Sequence, residues 1–241
     1  MGEPDRFSSE SFARARDCIV LALDVDTLDE ALSLAKRVHP YVGTFKVGLE
    51  LYLAEGPKSV EALREAGLDV FLDLKLHDIP TTVDRSARVV GALGARYLTV
   101  HTLGGVAMVR AAVNGVLAGA KGAGCEPPTV VGVTVLTSDL VATPEELTRR
   151  VHIAVEGGCG AIVCAAPDLA TLRPLAPGLL AVVPGIRPEG SAPDDQARMM
   201  TPAMARAAGA GLLVIGRPIT RASVPEEVAL GIVKSLMYSE A

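Results

Sequence analysis

Short runs rich in apolar and β-branched residues recur along this chain, and each is followed by a longer stretch whose apolar positions return every three or four residues. The first pattern predicts strands and the second helices. Strand-like runs fall at 18–25, 44–48, 69–75, 97–102, 129–136, 161–165, 179–185 and 211–216. Helical patterns fall at 28–38, 58–66, 81–93, 106–117, 144–156, 169–175, 202–208 and 224–237. The punctuation agrees. Thr143-Pro144-Glu145-Glu146 reads as a helix start, with a threonine cap and proline at the first helical position. Ala66-Gly67, Gly157-Gly158 and Ala208-Gly209 read as stops, each just before a strand.

Strict alternation of strand and helix demands a parallel sheet covered by helices. Eight such units in 241 residues predict an α/β fold of the closed (β/α)8 barrel type, as a single domain. An open doubly wound sheet would carry G-x-G-x-x-G after its first strand. Leu23-Asp24-Val25-Asp26-Thr27 stands there instead, without a glycine.

Composition narrows the class. Hydrophobic residues make up 49% and charged residues 21%, with glycine and proline scattered as punctuation, so one substantial core is expected over 17–241. Residues 1–16 are polar and lack the apolar segment of a leader, and are expected to form a disordered N-terminal arm. A net charge of −5 with no basic cluster gives nucleic acid no electrostatic footing. No apolar run is expected to approach a membrane span. Cys18, Cys125, Cys159 and Cys164 form no C-x-x-C pair, which suits free thiols in a reducing cytoplasm.

The most informative segment is 70–82, Val-Phe-Leu-Asp-Leu-Lys-Leu-His-Asp-Ile-Pro-Thr-Thr. Asp73 and Lys75 are two apart and project to one side of a regular strand, and Asp78 follows just past its end. Burying such charges costs on the order of several kcal/mol each unless they are paired. An exposed Asp73–Lys75 salt bridge is the plain alternative to a charged cavity.

Barrel active sites form at the C-terminal ends of the strands. Those ends supply Asp24, Asp26, Lys46, Asp73, Lys75, Asp78, His101, Thr102, Thr137, Ser138, Arg187, Gly216 and Arg217. Asp26 is expected to cap the helix beginning near Thr27, and His101 to serve backbone groups at the rim. Lys46, between Phe45 and Val47, needs an acidic partner. Gly216 and Arg217, with Arg187, suggest a phosphate corner after strands 7 and 8. The long polar connection 187–200 reads as a closing lid.

With these residues in order, the chain resembles the orotidine 5'-phosphate decarboxylases over 19–220. The carriers are Leu23-Asp24-Val25, Phe45-Lys46-Val47-Gly48, Asp73-Leu74-Lys75-Leu76-His77-Asp78-Ile79-Pro80 and Val133-Thr134-Val135-Leu136-Thr137-Ser138. Pro184-Gly185-Ile186-Arg187, Asp195-Gln196 and Ile215-Gly216-Arg217-Pro218 complete them. The resemblance implies cofactor-independent loss of CO2 from orotidine 5'-phosphate, giving UMP in the last step of its biosynthesis. It further implies Lys75 as catalytic lysine in a charge array with Lys46, Asp73 and Asp78. Asp24 and Thr82 would meet the ribose and Thr137 the pyrimidine, with Ile79 also against substrate; Arg187, Gln196, Gly216 and Arg217 would hold the phosphate. A homodimer is implied, with Asp78 and Thr82 contributed across the interface. The alternatives are a Mg2+-dependent sugar-phosphate decarboxylase or aldol lyase of the same superfamily, a Schiff-base aldolase, and a non-catalytic nucleotide-binding barrel.

Overall fold

Every one of the eight strand-like runs forms a strand. In the computed structural model, which describes residues 8–135, 143–188 and 200–239, these are β1 (Ile19–Ala22), β2 (Thr44–Val47), β3 (Val70–Leu76), β4 (Tyr97–His101), β5 (Thr129–Val133), β6 (Ala161–Val163), β7 (Leu180–Pro184) and β8 (Leu212–Ile215). They pair in parallel in chain order, and β8 closes onto β1, so the sheet is a sealed barrel. Closure removes both sheet edges.

Helices α1 (Ser9–Asp17), α2 (Leu28–Val38), α3 (Leu49–Glu55), α4 (Lys58–Glu65), α5 (Pro80–Ala92) and α6 (Gly105–Ala123) belong to the first half. The second half contributes α7 (Pro144–Gly157), α8 (Leu169–Leu175), α9 (Pro202–Ala207), α10 (Arg217–Thr220) and α11 (Pro225–Ser239). The predicted helical patterns all appear. Two short helices, α3 and α10, are added at the C-terminal ends of β2 and β8. The α3 sequence Leu-Glu-Leu-Tyr-Leu-Ala-Glu alternates like a strand, and Gly48 before it offers no side-chain cap, so its period is ambiguous.

Two layers of apolar residues hold the fold. The larger lies between the barrel and its helices and includes Leu21, Phe45, Leu72, Leu98, Ile162 and Leu213. A smaller one fills the barrel itself with Val20, Phe71, Tyr97, Val131, Ala161, Val182 and Leu212. That interior plug floors, through Phe71 and Val182, a cavity at the C-terminal end of the barrel.

Three expectations need correction. The arm expected to be disordered through Arg16 is helical from Ser9, because Ser8 caps α1 by accepting from Ser11 N–H at 3.1 Å, and Ala15 is buried. Phe12 packs edge-on against Tyr41, with ring centroids 6.4 Å apart. A narrow apolar stripe thus suffices to dock a polar segment. Secondly, the segment Thr102–Ala123 is long and apolar enough, by composition, to cross a membrane, at a mean hydropathy of 1.4. In the fold it runs into α6, which lies on the barrel with Met108, Val109, Ala112, Val116 and Ala120 buried. Its apolarity comes from close packing on α5: a Cβ at Gly115 or Gly119 would collide with the backbone carbonyls of Asp84 or Arg88. Thirdly, Thr27 and not Asp26 caps α2, accepting from Glu30 N–H at 3.3 Å.

The four cysteines are free. Burial pushes the Cys159 and Cys164 thiols up to about 12, which leaves them protonated and unreactive.

Candidate active site

Two residues above the apolar plug, the inward positions become charged. A cavity of about 150 Å3 opens there, lined by Lys46, Asp73, Lys75 and Thr99 on one side and by Val133, Val163, Val182 and Pro184 on the other. A second cavity of about 230 Å3 shares Lys46, Pro184 and Val214 with it, and adds Ala22, Asp24, Arg187, Gly216 and Arg217. Sequence-distant residues meet because barrel closure brings every strand's C-terminal end to one rim.

Asp73 is the centre of the charge array. Its Oδ1 accepts from Lys75 Nζ at 2.9 Å and from the Thr99 hydroxyl at 3.0 Å, and its Oδ2 lies 3.5 Å from Lys46 Nζ. Lys46 Nζ is also 3.5 Å from Asp24 Oδ1, so acid and base alternate as Asp24, Lys46, Asp73, Lys75. Lys46 and Asp73 side chains are only 12% and 14% exposed. Burial by itself pushes the Asp73 carboxyl up, but Lys46, Lys75 and the hydrogen bonds from Lys75 and Thr99 outweigh it and hold the group below its ordinary value. Lys46 thus has its acidic partners, and the plain exposed-bridge alternative for Asp73 is ruled out by its burial.

The Asp73–Lys75 contact forms, though not by regular strand alternation. Lys75 has φ of 49°, the sole positive value at a non-glycine among the described residues. The β3–β4 register advances by four residues from Leu72 to Leu76 while β4 advances by two, from Leu98 to Val100. β3 is therefore bulged at the array, as strands often are beside active sites.

Asp78, Ile79 and Thr82 line neither cavity. They stand exposed at the start of α5, with Asp78 Oδ1 accepting from Ile79 N–H at 2.7 Å and Ile79 65% exposed. Arg187 is buried against the second cavity, and its backbone N–H donates to the Met200 carbonyl at 3.1 Å, tying the two ends of the 187–200 connection together. Thr137, Ser138 and Gln196, and residues 189–199 of the expected lid over 187–200, lie outside the described residues. His101 lines neither cavity: its Nδ1 accepts from Leu103 N–H at 3.2 Å and its ring stacks on His77 with centroids 5.5 Å apart. Thr102 is buried, lines neither cavity and donates to the Val133 carbonyl. Thr99 carries no signal in the sequence, where it sits unremarkably inside Tyr-Leu-Thr-Val-His.

A sealed parallel barrel with paired lysines and carboxylates at its open end defines a (β/α)8 enzyme. Within that class, the model for the Orotidine 5'-phosphate decarboxylase / HUMPS family matches residues 17–232, and the chain belongs to this family. It is 46% identical over 229 residues to the Orotidine 5'-phosphate decarboxylase of Anaeromyxobacter sp. (strain K), covering 90% of this chain and 97% of the relative. The protein of that name from Thermobifida fusca (strain YX) is 44% identical over 236 residues, with 92% and 97% covered. Among solved structures, Orotidine 5'-phosphate decarboxylase from Lactobacillus acidophilus superposes with a TM-score of 0.78 at 32% identity, covering 90% of this chain and 98% of that one.

Proposed function

We propose that this chain converts orotidine 5'-phosphate to UMP and CO2 by electrostatic stabilisation of a C6 carbanion, without a cofactor. The observation that carries the mechanism is the alternating Asp24, Lys46, Asp73, Lys75 array, set in a cavity whose far wall is valine and proline. When the C6 carboxylate leaves, its bonding electron pair stays on carbon, where no neighbouring group delocalises it. A fixed ammonium in a low-dielectric site is the available stabiliser. Lys75 supplies that charge, then transfers a proton from Nζ to C6 and is reprotonated from solvent. Asp73 pairs with the ammonium at 2.9 Å and aims it.

The second cavity suits the 5'-phosphate. Arg187 and Arg217 offer planar forks for its oxygens and Gly216 permits close backbone approach; the family resemblance adds Gln196 to them. Asp24, on the wall of the second cavity and 3.5 Å from the shared Lys46, serves the ribose, and Thr137 the pyrimidine edge.

Asp78 and Thr82 act in the site of a second subunit of a homodimer, and Ile79 beside them also meets substrate. Supporting this is the apolar surface around them: Leu49 and Leu53 after β2, Ile79 after β3 and Leu103 after β4 are exposed at adjacent strand ends, Leu53 by 80%. Apolar groups clustered this way suit burial by another copy. The enzyme works in the cytoplasm, where its thiols stay reduced.

The test is loss of orotidine 5'-phosphate absorbance with EDTA present. Turnover unaffected by the chelator is expected. A flat trace from folded protein that regains activity on a sugar phosphate with added Mg2+ would move the chain to the other branch of its family.

A further inference from the structure

We propose that Thr99 is a positioning residue for the reaction: its hydroxyl ties the backbone of Lys75 to the carboxylate of Asp73, and so fixes the left-handed turn that aims the Lys75 ammonium. The inference rests on the proposed role of Lys75.

Lys75 is held at both ends by the same pair of residues. Its backbone N–H donates to Thr99 Oγ1 at 2.8 Å, Thr99 Oγ1 lies 3.0 Å from Asp73 Oδ1, and Lys75 Nζ lies 2.9 Å from that same oxygen. The proton directions are forced. An amide N–H can only donate, so the hydroxyl accepts there and gives its single proton to Asp73. Asp73 Oδ1 must then be unprotonated, which is the state that also pairs with the ammonium.

Thr99 occupies the place on β4 that the bulge leaves opposite Lys75, since the β3–β4 pairing lapses between Leu72↔Leu98 and Leu76↔Val100. The bulge takes Lys75 N–H out of the ladder, and the hydroxyl replaces the lost acceptor. Thr99 is 1% exposed, so water is poorly placed to substitute. At φ of 49° a lysine occupies a region that side chains of its size rarely adopt, and such a conformation persists only where its surroundings hold it. The β-branch of threonine limits χ1, which keeps the hydroxyl in one direction.

Thr99→Val keeps the shape and removes both hydrogen bonds, whereas Thr99→Ser keeps the hydroxyl. Steady-state kinetics on orotidine 5'-phosphate, UMP binding by calorimetry and the pH profile of kcat separate the possibilities. Thr99→Val is expected to lower kcat about 100-fold, the scale of a displacement near 1 Å, while KM and UMP affinity change by less than about fivefold. Losing a hydrogen bond that favours the Asp73 carboxylate should also move the acid limb of the profile to higher pH. Thr99→Ser should recover kcat to within about tenfold of wild type. Thr99→Ala takes the place of valine should that variant not fold. Wild-type kcat in Thr99→Val, or equal damage in Thr99→Ser, overturns the proposal. So does loss of folded protein with unchanged kcat per folded site. A crystal structure of Thr99→Val tests the role without reference to turnover: Lys75 still left-handed and still on Asp73 refutes the positioning role even if the wild type proves to catalyse another reaction.

Discussion

Phe71 and Asp73 stand two residues apart on β3 and face the same interior, yet one is part of an apolar plug and the other the hub of four charges. A similar step occurs on β1 and β4. Val20 gives way to Ala22 and Asp24, and Tyr97 to Thr99. Below the step the side chains satisfy one another by dispersion and exclusion of water, and any volume-conserving apolar substitution serves. Above it each group is fixed by a named partner at a named distance. Stability and chemistry are therefore separated by about one pleat of strand, and substitutions on either side of that line should have different signatures.

The largest effect should come from the upper side. Lys75→Ala is expected to fold and to bind UMP but to lose nearly all turnover, because it removes the proton donor without touching either apolar layer. Near wild-type turnover in this variant would refute the assignment.

The upper end should also prove incomplete within one chain. Lys75→Ala and Asp78→Asn homodimers should each be almost inactive, whereas refolding them together at equal ratio should restore about a quarter of wild-type sites, since random exchange gives mixed dimers half the time and each has one intact site. Absence of recovery, with subunit exchange demonstrated by mass spectrometry, would put Asp78 to work in its own chain.

Below the line, Leu212→Ala should cost about 2–5 kcal/mol of stability, read by chemical denaturation, with kcat per folded molecule close to wild type. Leu212 is buried in the plug and lines neither cavity. A kcat loss exceeding tenfold would show that the two levels are mechanically coupled.

The smallest effect is a pH dependence. The Asp73 carboxyl is held below its ordinary value in the fold, so its ion pairs contribute stability above the unfolded pKa, near 4, and that contribution is lost as pH falls through the lower folded pKa. The stability gap between wild type and Asp73→Asn should consequently be widest at neutral pH and narrow below about pH 4. A gap independent of pH would mean that the asparagine acts through packing alone.

What is legible in the sequence divides along the same line. Periodicity and glycine punctuation are enough for the strands, the order of elements and closure, since eight alternations have few other solutions. The charged cluster is also visible, because Lys46 and Asp73 interrupt apolar runs. The bulge is not: Asp-Leu-Lys reads as ordinary alternation, and a positive φ is foreshadowed by glycine or asparagine and not by lysine. Thr99 escapes for the complementary reason, since threonine inside a strand needs no explanation. The arm through Arg16 reads wrongly as disordered because α1 gains its order from docking, a contribution that local composition does not carry. Asp78 can be placed by resemblance alone, as its proposed partner is on another chain.

The glycines of α6 carry a lesson for anyone engineering this enzyme. Replacing a helical glycine by alanine ordinarily favours the helix by about 1 kcal/mol, and α6 offers several candidates. At Gly122 a Cβ meets nothing, so the substitution should raise thermal stability. At Gly115 and Gly119 the added methyl would strike the α5 backbone at Asp84 and Arg88. Since α5 begins with the exposed residues proposed to reach a neighbouring subunit, those two changes should loosen assembly, and a stabilisation scheme guided by helix propensity alone would trade quaternary integrity for helicity.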